Sequence, residues 1–555
     1  MSALRCRVAA ASVLVIAAAG IVSTYRTLSL TVDEPTHVEA GLEWLDHGSY
    51  RLQPENPPLS RLPVAIGPYL RGYRLPDVSG RTRGQALDAL DTEDNRDLAL
   101  ARVGVLPLFL LCGALVWAGA RSLFGEAVAL VAVTLFASVP AVLAHAGLAT
   151  TDVAFTAAYL AALLAFVRWL DRPTLGRGLL LGALTGAAFA TKFTAVALVP
   201  AAAAILAVRA FDRGARWGGL LTRLPLLILA ALLVLGAAYR FDVGRPVDER
   251  PPQEVRSLVD SCAAPGSLSG KVLARLTETP VPAPALLTGL LELCVHNAQG
   301  HPAFLMGRVS PNGFALYYPL ALLVKSPIPF LLLAGSGVVL VLRRHRGWRP
   351  LAPVLAAATL LAFCSLGRIN IGVRHVLPVF PLLCIPAAAA AHRLWTAGRV
   401  ARAAVLALGA WQIAAPIVAY PHWLGYFNEA AAPHAARILT DSDLDWGQDL
   451  YALRDALRER HVPELWIAYF GKADLCRHRL PPARWLAPGR RVTGWVALSE
   501  MQRVGLLVPQ FEGDDPCDRD RLVWCEGVGD GYAWLDAYQP LVRVGRSIRL
   551  YYIDQ

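Results

Sequence analysis

The sequence predicts a polytopic α-helical membrane protein with a small α/β domain at its C-terminal end. Of its 555 residues, 55% are hydrophobic and only 17% are charged, whereas soluble domains usually carry about 25% charged residues. The apolar residues gather in about eleven runs, most of them near the roughly 20 residues that a membrane-spanning helix needs. Arginine-rich and arginine-poor connections alternate between the runs. Composition and pattern together exclude a soluble enzyme, a disordered chain and a coiled coil.

The eleven apolar runs are the predicted membrane spans. They cover residues 8–24, 103–120, 127–147, 153–170, 178–191, 193–208, 220–239, 314–342, 351–366, 375–391 and 403–421. The first run follows Arg5 and Arg7, as the apolar part of a signal peptide would. It lacks a convincing small-residue cleavage site and ten further runs follow it, so we interpret it as a membrane anchor.

The predicted orientation rests on the arginines at the ends of the runs. Those on one side are Arg121, Arg168, Arg172, Arg177, Arg209, Arg213, Arg216, Arg343, Arg344, Arg346, Arg349, Arg393, Arg399 and Arg402. The positive-inside rule assigns them and the N-terminus to the cytoplasm, and an odd number of spans leaves the C-terminal end outside. The net charge of +11 is therefore mostly a topology signal, and we expect the lipid bilayer but no nucleic acid as a partner. The predicted location is the plasma (inner) membrane.

Three longer segments lie on the predicted outer side. Residues 25–102 and 240–312 are outer loops of a membrane module that spans residues 1–421, and residues 422–555 are long enough for an extracytoplasmic domain. This tail mixes strand-like runs with one helix-like stretch, which favours an α/β arrangement. The strand-like runs are 465–470, 492–498 and 548–553, and the helix-like stretch is 448–460.

The first candidate functional group follows the first span directly. Ionisable residues at the edge of a span are costly and are usually functional, and Asp33, Glu34 and His37 stand here together. If a helix begins near Asp33, that residue and His37 share one face at the i, i+4 spacing. Pro35 fits the first turn of such a helix. The simpler interpretation makes Asp33 only the N-cap of a surface helix.

Three further groups lie on the same predicted side. Glu55 precedes Pro57 and Pro58, and two prolines fix a rigid turn. Asp152 stands at the outer start of a span, where it also suits a helix cap. Lys192 is a lone base between two apolar helices, against the positive-inside bias, and a lysine there suits a phosphate at headgroup depth.

Two outer loops complete the set. His301 lies in a segment with further polar and aromatic residues, and Arg368, Arg374 and His375 share a short loop. Two guanidinium groups beside the headgroups are suited to binding phosphate oxygens. Each signal is weak alone, but all six groups are predicted on one face, so we expect them to form one site.

These residues resemble the GT-C glycosyltransferases of family 39, which include the protein O-mannosyltransferases and the bacterial aminoarabinose transferase of lipid A. The resemblance lies in Asp33-Glu34 with His37, Glu55 before Pro57-Pro58, Asp152 and Lys192. It covers about residues 8–421. In the tail, residues 426–429 and 439–449 also resemble uncharacterised bacterial members of the group.

The resemblance implies an inverting transferase that takes a sugar from a polyprenyl phosphate on the outer leaflet. It makes Asp33 the expected base, with Glu34 and Asp152 as further catalytic carboxylates. The residues expected to bind substrate are His37, Glu55, Lys192, His301, Arg368, Arg374 and His375. Glu55 and His301 match a metal-binding pattern of the family, so a divalent metal is an expected cofactor and no other is. The aminoarabinose branch has a lysine where this chain has Asn56, so the donor sugar need not be the same.

General chemistry supports such a reaction, and other classes fit less well. A carboxylate raises the reactivity of an acceptor hydroxyl, and cations stabilise a departing lipid phosphate. The main alternatives are a lipid-linked oligosaccharide ligase or polymerase of similar architecture, and a lipid or solute transporter. Transporters place polar residues near the bilayer midplane, often in repeated halves, and this sequence shows neither feature. The acceptor stays open among a protein, a glycolipid and a polysaccharide.

Reporter fusions test the predicted topology. We expect fusions at Arg172, Arg213 and Arg346 to read cytoplasmic and a fusion after Gln555 to read external, because the arginines alternate. A cytoplasmic reading at Gln555 would contradict the topology and with it the outward-facing site.

Overall fold

The chain is mostly helical. A computed structural model describes residues 2–75, 90–91, 95–211, 220–247, 250–344, 347–511, 513–517, 522–527 and 529–554. Arg213, Arg216 and Arg346, on which part of the predicted orientation rests, lie outside the described residues. The orientation therefore stays a prediction.

The helices of the first half follow one another with short connections. They are α1 (Ala3–Thr24), α2 (Glu34–Asp46), α3 (Leu62–Leu70), α4 (Arg96–Val103), α5 (Leu106–Phe124), α6 (Glu126–Phe136), α7 (Pro140–Ala146), α8 (Asp152–Asp171), α9 (Leu175–Phe189), α10 (Leu198–Ala210) and α11 (Leu220–Ala238). Several begin with a proline in their first turn, a position where the missing N–H has no helical partner in any case. Short 3-10 turns precede α3 and α10, at Pro58–Ser60 and Phe193–Ala197.

The second half continues the bundle after a segment of short elements. In chain order these elements are β1 (Val243–Gly244), α12 (Pro252–Cys262), α13 (Leu268–Glu278), β2 (Val281–Pro282), α14 (Pro284–Gln299), β3 (Ala303–Leu305), β4 (Arg308–Ser310), α15 (Tyr317–Lys325), α16 (Ile328–Arg344), α17 (Trp348–Leu366), α18 (Val379–Trp395) and α19 (Arg399–Ala419). A 3-10 turn, Val373–Val376, connects α17 to α18. β1 pairs with β2 and β3 with β4, both antiparallel.

The apolar helices agree with a membrane location. Within the described residues, six helices are long and apolar enough to cross a membrane, and two bent helix pairs bring the number to as many as 8. Three shorter apolar helices accompany them. Each of these helices or pairs overlaps one of the eleven predicted runs, while the number of spans stays a prediction.

Two of the predicted runs are bent rather than straight. α6 and α7 meet at 68°, and α15 and α16 meet at 119°. Each break precedes a proline: Val139 before Pro140 and Ser326 before Pro327 have extended backbone, which proline favours in the residue before it. The sharper bend keeps Lys325, the last residue of α15, inside the protein rather than at the end of a long span.

The tail contains the mixed helix and strand content that its sequence predicts. Its helices are α20 (Ala435–Ile438), α21 (Leu450–Glu459) and α22 (Glu500–Val504), and its strands are β5 (Leu465–Ala468), β6 (Ala483–Trp485), β7 (Gly494–Ser499), β8 (Leu507–Phe511), β9 (Leu522–Glu526), β10 (Val542–Val544) and β11 (Ile548–Ile553). Five strands form a sheet in the order β10-β11-β7-β5-β6, in which β5 is parallel to β6 and β7 and the other pairs are antiparallel. β8 and β9 form a separate antiparallel pair.

One buried core extends from the helices into the tail. α8 and α18 are the central helices, and nearly every residue of α18 up to Ala391 is buried. The same apolar cluster includes tail residues such as Leu444 and Trp446. The start of the tail therefore packs directly on the helices, at the end of the bundle where α8 and α18 begin. Whether residues 422–555 form a domain of their own stays a prediction.

Candidate active site

A cavity of about 680 Å³ lies at this end of the bundle. Its polar lining consists of Asp33, Thr36, His37, Gln53, Glu55, Asn56, Thr151, Lys192, Thr194, His296, Asn297, Tyr318, Arg374 and His375. Its apolar lining includes Phe193, Val196, Leu290, Leu293, Phe363, Leu366, Ile369 and Ile371. Four of these apolar side chains also belong to the outer surface of the protein: Val196, Leu290, Phe363 and Leu366. The cavity thus combines a charged part with an apolar part that reaches the surface.

Asp33 faces this cavity from the start of α2. Although it occupies the N-cap position, its side chain makes no cap hydrogen bond to the helix. Its Oδ2 accepts a hydrogen bond from Arg374 Nη1 at 2.8 Å, and 32% of the side chain is exposed. The carboxylate is therefore available to a molecule in the cavity, and a helix cap does not account for it.

Positively charged neighbours keep the Asp33 carboxylate ionised. Burial acts to raise the pKa of Asp33, but the positive charges of Arg374 and of Lys472, a tail residue, lower it by more, so the net shift is below the ordinary value. Lys472 Nζ also donates to Thr36 Oγ1 at 3.1 Å, at the edge of the cavity. Asp33 is thus an ionised carboxylate at neutral pH.

Several different contacts fix the side chain of Arg374. Besides its ion pair with Asp33, its guanidinium carbon lies 4.3 Å from the centre of the Trp446 ring, a cation–π arrangement. Its Nε donates to the backbone oxygen of Ile371 at 3.4 Å. Gly372 precedes the turn with φ +116°, and a Cβ there would come within 2.1 Å of Ser442 Oγ. Only glycine fits this close approach of the tail to the turn that carries Arg374.

Glu34 lies behind the cavity and not in it. Its fully buried carboxylate forms a two-bond ion pair with Arg102, at 2.7 and 2.8 Å. It also accepts hydrogen bonds from the backbone N–H groups of Thr31 and Ala149. A carboxylate with four donors and no exposed surface is suited to fixing the chain and not to meeting a substrate. Of the adjacent acids, only Asp33 lines the cavity.

Lys192 and Asp152 form a second buried ion pair. Lys192 Nζ lies 2.7 Å from Asp152 Oδ1, and Lys192 lines the cavity while Asp152 is fully buried beside it. Asp152 Oδ2 has no hydrogen-bond partner among the described residues. The structure thus brings together two groups that the sequence predicts on one face. Their arrangement presents an ammonium group to the cavity and keeps the carboxylate behind it.

His37 and His375 contribute polar side chains to the lining of the cavity. Burial, followed by the charge of Arg61, lowers the pKa of His37 to about 3, so its ring is uncharged. Neither ring nitrogen of His37 has a partner among the described residues. His375 lines the cavity beside Tyr318, with ring centres 6.3 Å apart. The i, i+4 spacing does place Asp33 and His37 in one site.

Glu55 reaches the cavity through a close contact between its loop and α14. A Cβ on Gly289 of α14 would lie 1.9 Å from the backbone oxygen of Pro54, so glycine is required for this approach. Across from Glu55 stands Glu292, whose pKa is raised to about 7 by burial and by the charge of Glu55. Arg250 forms an ion pair with the same Glu292.

Besides Glu34 and Asp152, two more candidates from the sequence do not line the cavity. His301 stands behind His296, its Nδ1 3.2 Å from Nε2 of that residue, and only His296 lines the cavity. Arg368 is exposed and bonds to the backbone oxygen of Ala298. No group of three or more His, Cys, Asp and Glu side chains among the described residues could hold a metal ion. The divalent metal expected at Glu55 and His301 stays a prediction.

The tail contributes to the site in a way that the sequence did not indicate. Trp446 packs on Arg374, Lys472 acts on Asp33, and Asp441 stands near both members of the Asp33–Arg374 pair. Burial raises the pKa of Asp441 to about 7, although the charge of Arg374 opposes this shift. The run of acids in residues 439–449 was visible as a motif, but nothing in its spacing indicated that it packs against residues 33 and 374.

Similarity to known proteins indicates a membrane glycosyltransferase. Residues 96–239 match the family described as dolichyl-phosphate-mannose-protein mannosyltransferase. This match confirms the resemblance predicted from the sequence and the enzyme class that it implies. No curated protein matches the chain.

Two solved structures of ArnT from Cupriavidus metallidurans have a similar fold. The structure bound to undecaprenyl phosphate is 14% identical, covers 97% of this chain and 97% of that chain, and has a TM-score of 0.50. The apo structure is 14% identical, covers 99% of this chain and 98% of that chain, and has a TM-score of 0.51. At this identity the similarity concerns the fold.

The stability of the protein should depend on Glu34. The variant Glu34→Ala leaves Arg102 charged, buried and unpaired, which costs about 3–5 kcal/mol. We expect a clear fall in the thermal unfolding temperature of the purified protein in detergent, or no accumulation at all. Glu126→Ala, which breaks ion pairs at the surface, is the control and should change little. An unfolding temperature equal to that of the wild type for Glu34→Ala would contradict the structural role.

Proposed function

We propose that this glycosyltransferase moves a sugar from a polyprenyl-phosphate donor to an acceptor hydroxyl, with inversion, on the outer face of the membrane. The observation that carries the proposal is the composition of the cavity described above. It joins an ionised carboxylate and two cations to an apolar wall that reaches the protein surface. A donor of this kind has the matching parts: a polyol, a phosphate and a long hydrocarbon chain.

Asp33 serves as the base in this proposal. Its carboxylate takes the proton of the acceptor hydroxyl while the acceptor oxygen bonds to the anomeric carbon of the sugar. The bond from that carbon to the phosphate oxygen breaks on the opposite face, and its electron pair leaves with the polyprenyl phosphate. A positioned base typically contributes about 10²–10⁴-fold to the rate.

Lys192 and Arg374 bind the phosphate and stabilise the negative charge that develops as it leaves. Both are buried cations that line the cavity, and electrostatic stabilisation is strongest where water is excluded. Asp152 keeps Lys192 in place through their ion pair, and Glu34 fixes the turn that carries Asp33. The neutral ring of His37 and the polar groups of the loop around Glu55 are available to sugar hydroxyls.

The apolar wall gives the hydrocarbon chain a path from the bilayer. Leu290 of α14 and Phe363 of α17 are 40% and 38% exposed, and each also lines the cavity. Val196, in the 3-10 turn before α10, also lines the cavity and is exposed. A lipid could therefore bind with its phosphate among the cations while its chain leaves toward the membrane.

The identity of the acceptor is an experimental question that a deletion strain addresses. Mass spectrometry of its glycolipids, secreted proteins and envelope polysaccharides should show one class that has lost a sugar. The loss should be restored by the wild-type gene and not by a gene that encodes Asp33→Asn.

Replacing Asp33 distinguishes its two possible roles, catalytic base and helix cap. The variant Asp33→Asn keeps the size of the side chain and removes its charge, so we expect normal insertion and folding with a rate of sugar transfer lowered about 10²–10⁴-fold. Asp46→Asn, on the same helix and outside the cavity lining, is the matched control. Near-normal transfer by Asp33→Asn would exclude Asp33 as the base.

Replacing the two cations should weaken binding of the lipid phosphate. We expect Arg374→Ala and Lys192→Ala each to raise the Kd for undecaprenyl phosphate in micelles about 10- to 100-fold, since hydrogen bonds to charged groups contribute about 1.5–3 kcal/mol. Native mass spectrometry measures the bound fraction. Arg308→Ala, an exposed arginine on β4, is the control.

One complication is that Lys192→Ala leaves the Asp152 carboxylate buried without its cation. The double variant Lys192→Met with Asp152→Asn removes both charges and keeps the volume, so it tests binding in a protein without an unpaired buried charge. Wild-type affinity in Arg374→Ala and in this double variant would contradict the phosphate assignment.

A further inference from the structure

One short tail segment contacts both partners of the Asp33–Arg374 pair. We name residues 443–448 the tail bridge. On one side its backbone accepts hydrogen bonds from the chain that leads to Asp33: Val32 N–H donates to the oxygen of Trp446 at 3.1 Å, and Ser29 N–H donates to that of Gln448 at 3.0 Å. Ser29 Oγ also donates to the oxygen of Gly447 at 2.8 Å. The residues before Asp33 therefore lie along the bridge.

On its other side the tail bridge holds the turn that carries Arg374. Trp446, only 1% exposed, presents its ring face to the guanidinium group. Asp443 Oδ1 accepts a hydrogen bond from the N–H of Val373, the residue before Arg374, at 3.0 Å. Trp446 and Asp443 do not line the cavity, whereas Arg374 does. Both contacts therefore leave the part of Arg374 that faces the cavity open.

The tail bridge is itself firmly anchored. Tyr317 of α15 donates to Asp443 Oδ2 at 3.3 Å, and Lys325 donates to the backbone oxygen of Asp443. Asp445 Oδ2 accepts from the N–H of Met501 at 2.8 Å, which ties the bridge to the rest of the tail. A segment with this many buried partners has one conformation, and it can impose that conformation on the groups that it contacts.

We propose that the tail bridge is a positioning element of the active site, in which Trp446 orients the Arg374 guanidinium toward the donor phosphate. The inference rests on the proposed function of Arg374. A guanidinium on a flexible side chain loses conformational freedom when it binds a phosphate, and a group that is already oriented loses less. Stacking on Trp446 fixes the plane of the guanidinium, and the hydrogen bond that it donates to Asp33 fixes its rotation within that plane.

A purely structural role for Trp446 would have different consequences. A large buried ring also fills space, and its removal would then lower stability without acting on the phosphate specifically. Substitutions that act through one common residue are not additive, whereas independent effects add. Coupling between Trp446 and Arg374 in lipid binding therefore distinguishes positioning from packing.

The test measures the Kd of the full-length protein for undecaprenyl phosphate in micelles, by native mass spectrometry, beside the unfolding temperature. We expect Trp446→Leu to raise the Kd about tenfold and Trp446→Tyr, which retains an aromatic face, to restore most of the affinity. In the Arg374→Ala background, Trp446→Leu should change the Kd no further. Trp495→Leu, in strand β7 of the tail, is the control for loss of a tail tryptophan and should bind like the wild type.

The outcomes of these binding measurements distinguish a failure of the proposed function from a failure of the positioning role. If the wild type binds no undecaprenyl phosphate, the proposed function fails. If the wild type binds and Arg374→Ala does not, but Trp446→Leu binds like the wild type or adds its full effect to Arg374→Ala, only the positioning role is overturned. Should Trp446→Leu fail to accumulate, Trp446→Met is the second variant, because a flexible unbranched side chain adapts to the gap and has no ring. The same expectations apply to it.

Discussion

The buried ion pair between Glu34 and Arg102 is the interaction on which the site depends. Arg102 uses its N–H groups for the Glu34 carboxylate and for the backbone oxygens of Tyr25, Leu28 and Ser29. The connection from α1 to α2 is thereby folded around one group, the guanidinium of Arg102. Because buried charges are tolerated only when they are paired and fully hydrogen-bonded, this connection has little freedom, and Asp33 leaves it in one direction, toward the cavity.

Three acids near the site show how surroundings divide similar side chains into different roles. Glu34 and Asp152 are fully buried with an arginine and a lysine, while Asp33 pairs with Arg374 and keeps 32% of its side chain exposed to the cavity. All three have a cation within hydrogen-bond distance, so pairing alone does not identify a reactive group. Exposure to the cavity does, because a proton can move only between atoms that touch.

Much of this arrangement could be predicted from the sequence, since it depends on local pattern. The apolar runs, the helix that begins after Asp33 and the main tail strands all follow from periodicity and composition. The neighbourhood of Asp33 and Glu34 could not, because the two acids are adjacent in sequence and only the distant Arg102 and Arg374 separate their roles. The same holds for Trp446, which looks like an ordinary core residue, and for His301 and Arg368, whose loops turn them away from the cavity.

The distance along the chain between the two members of the Asp33–Arg374 pair has a consequence for biosynthesis. They are 341 residues apart, and the tail bridge that contacts both is made later still, at residues 443–448. A ribosome must therefore complete about four-fifths of the protein before the cavity acquires its final charge arrangement. Until residue 374 is made the Asp33 carboxylate is without its cation, and until the tail bridge is made the pair is without the segment that contacts both of its members. A chain that ends before residue 443 would thus contain both members of the pair but not the segment that orders them.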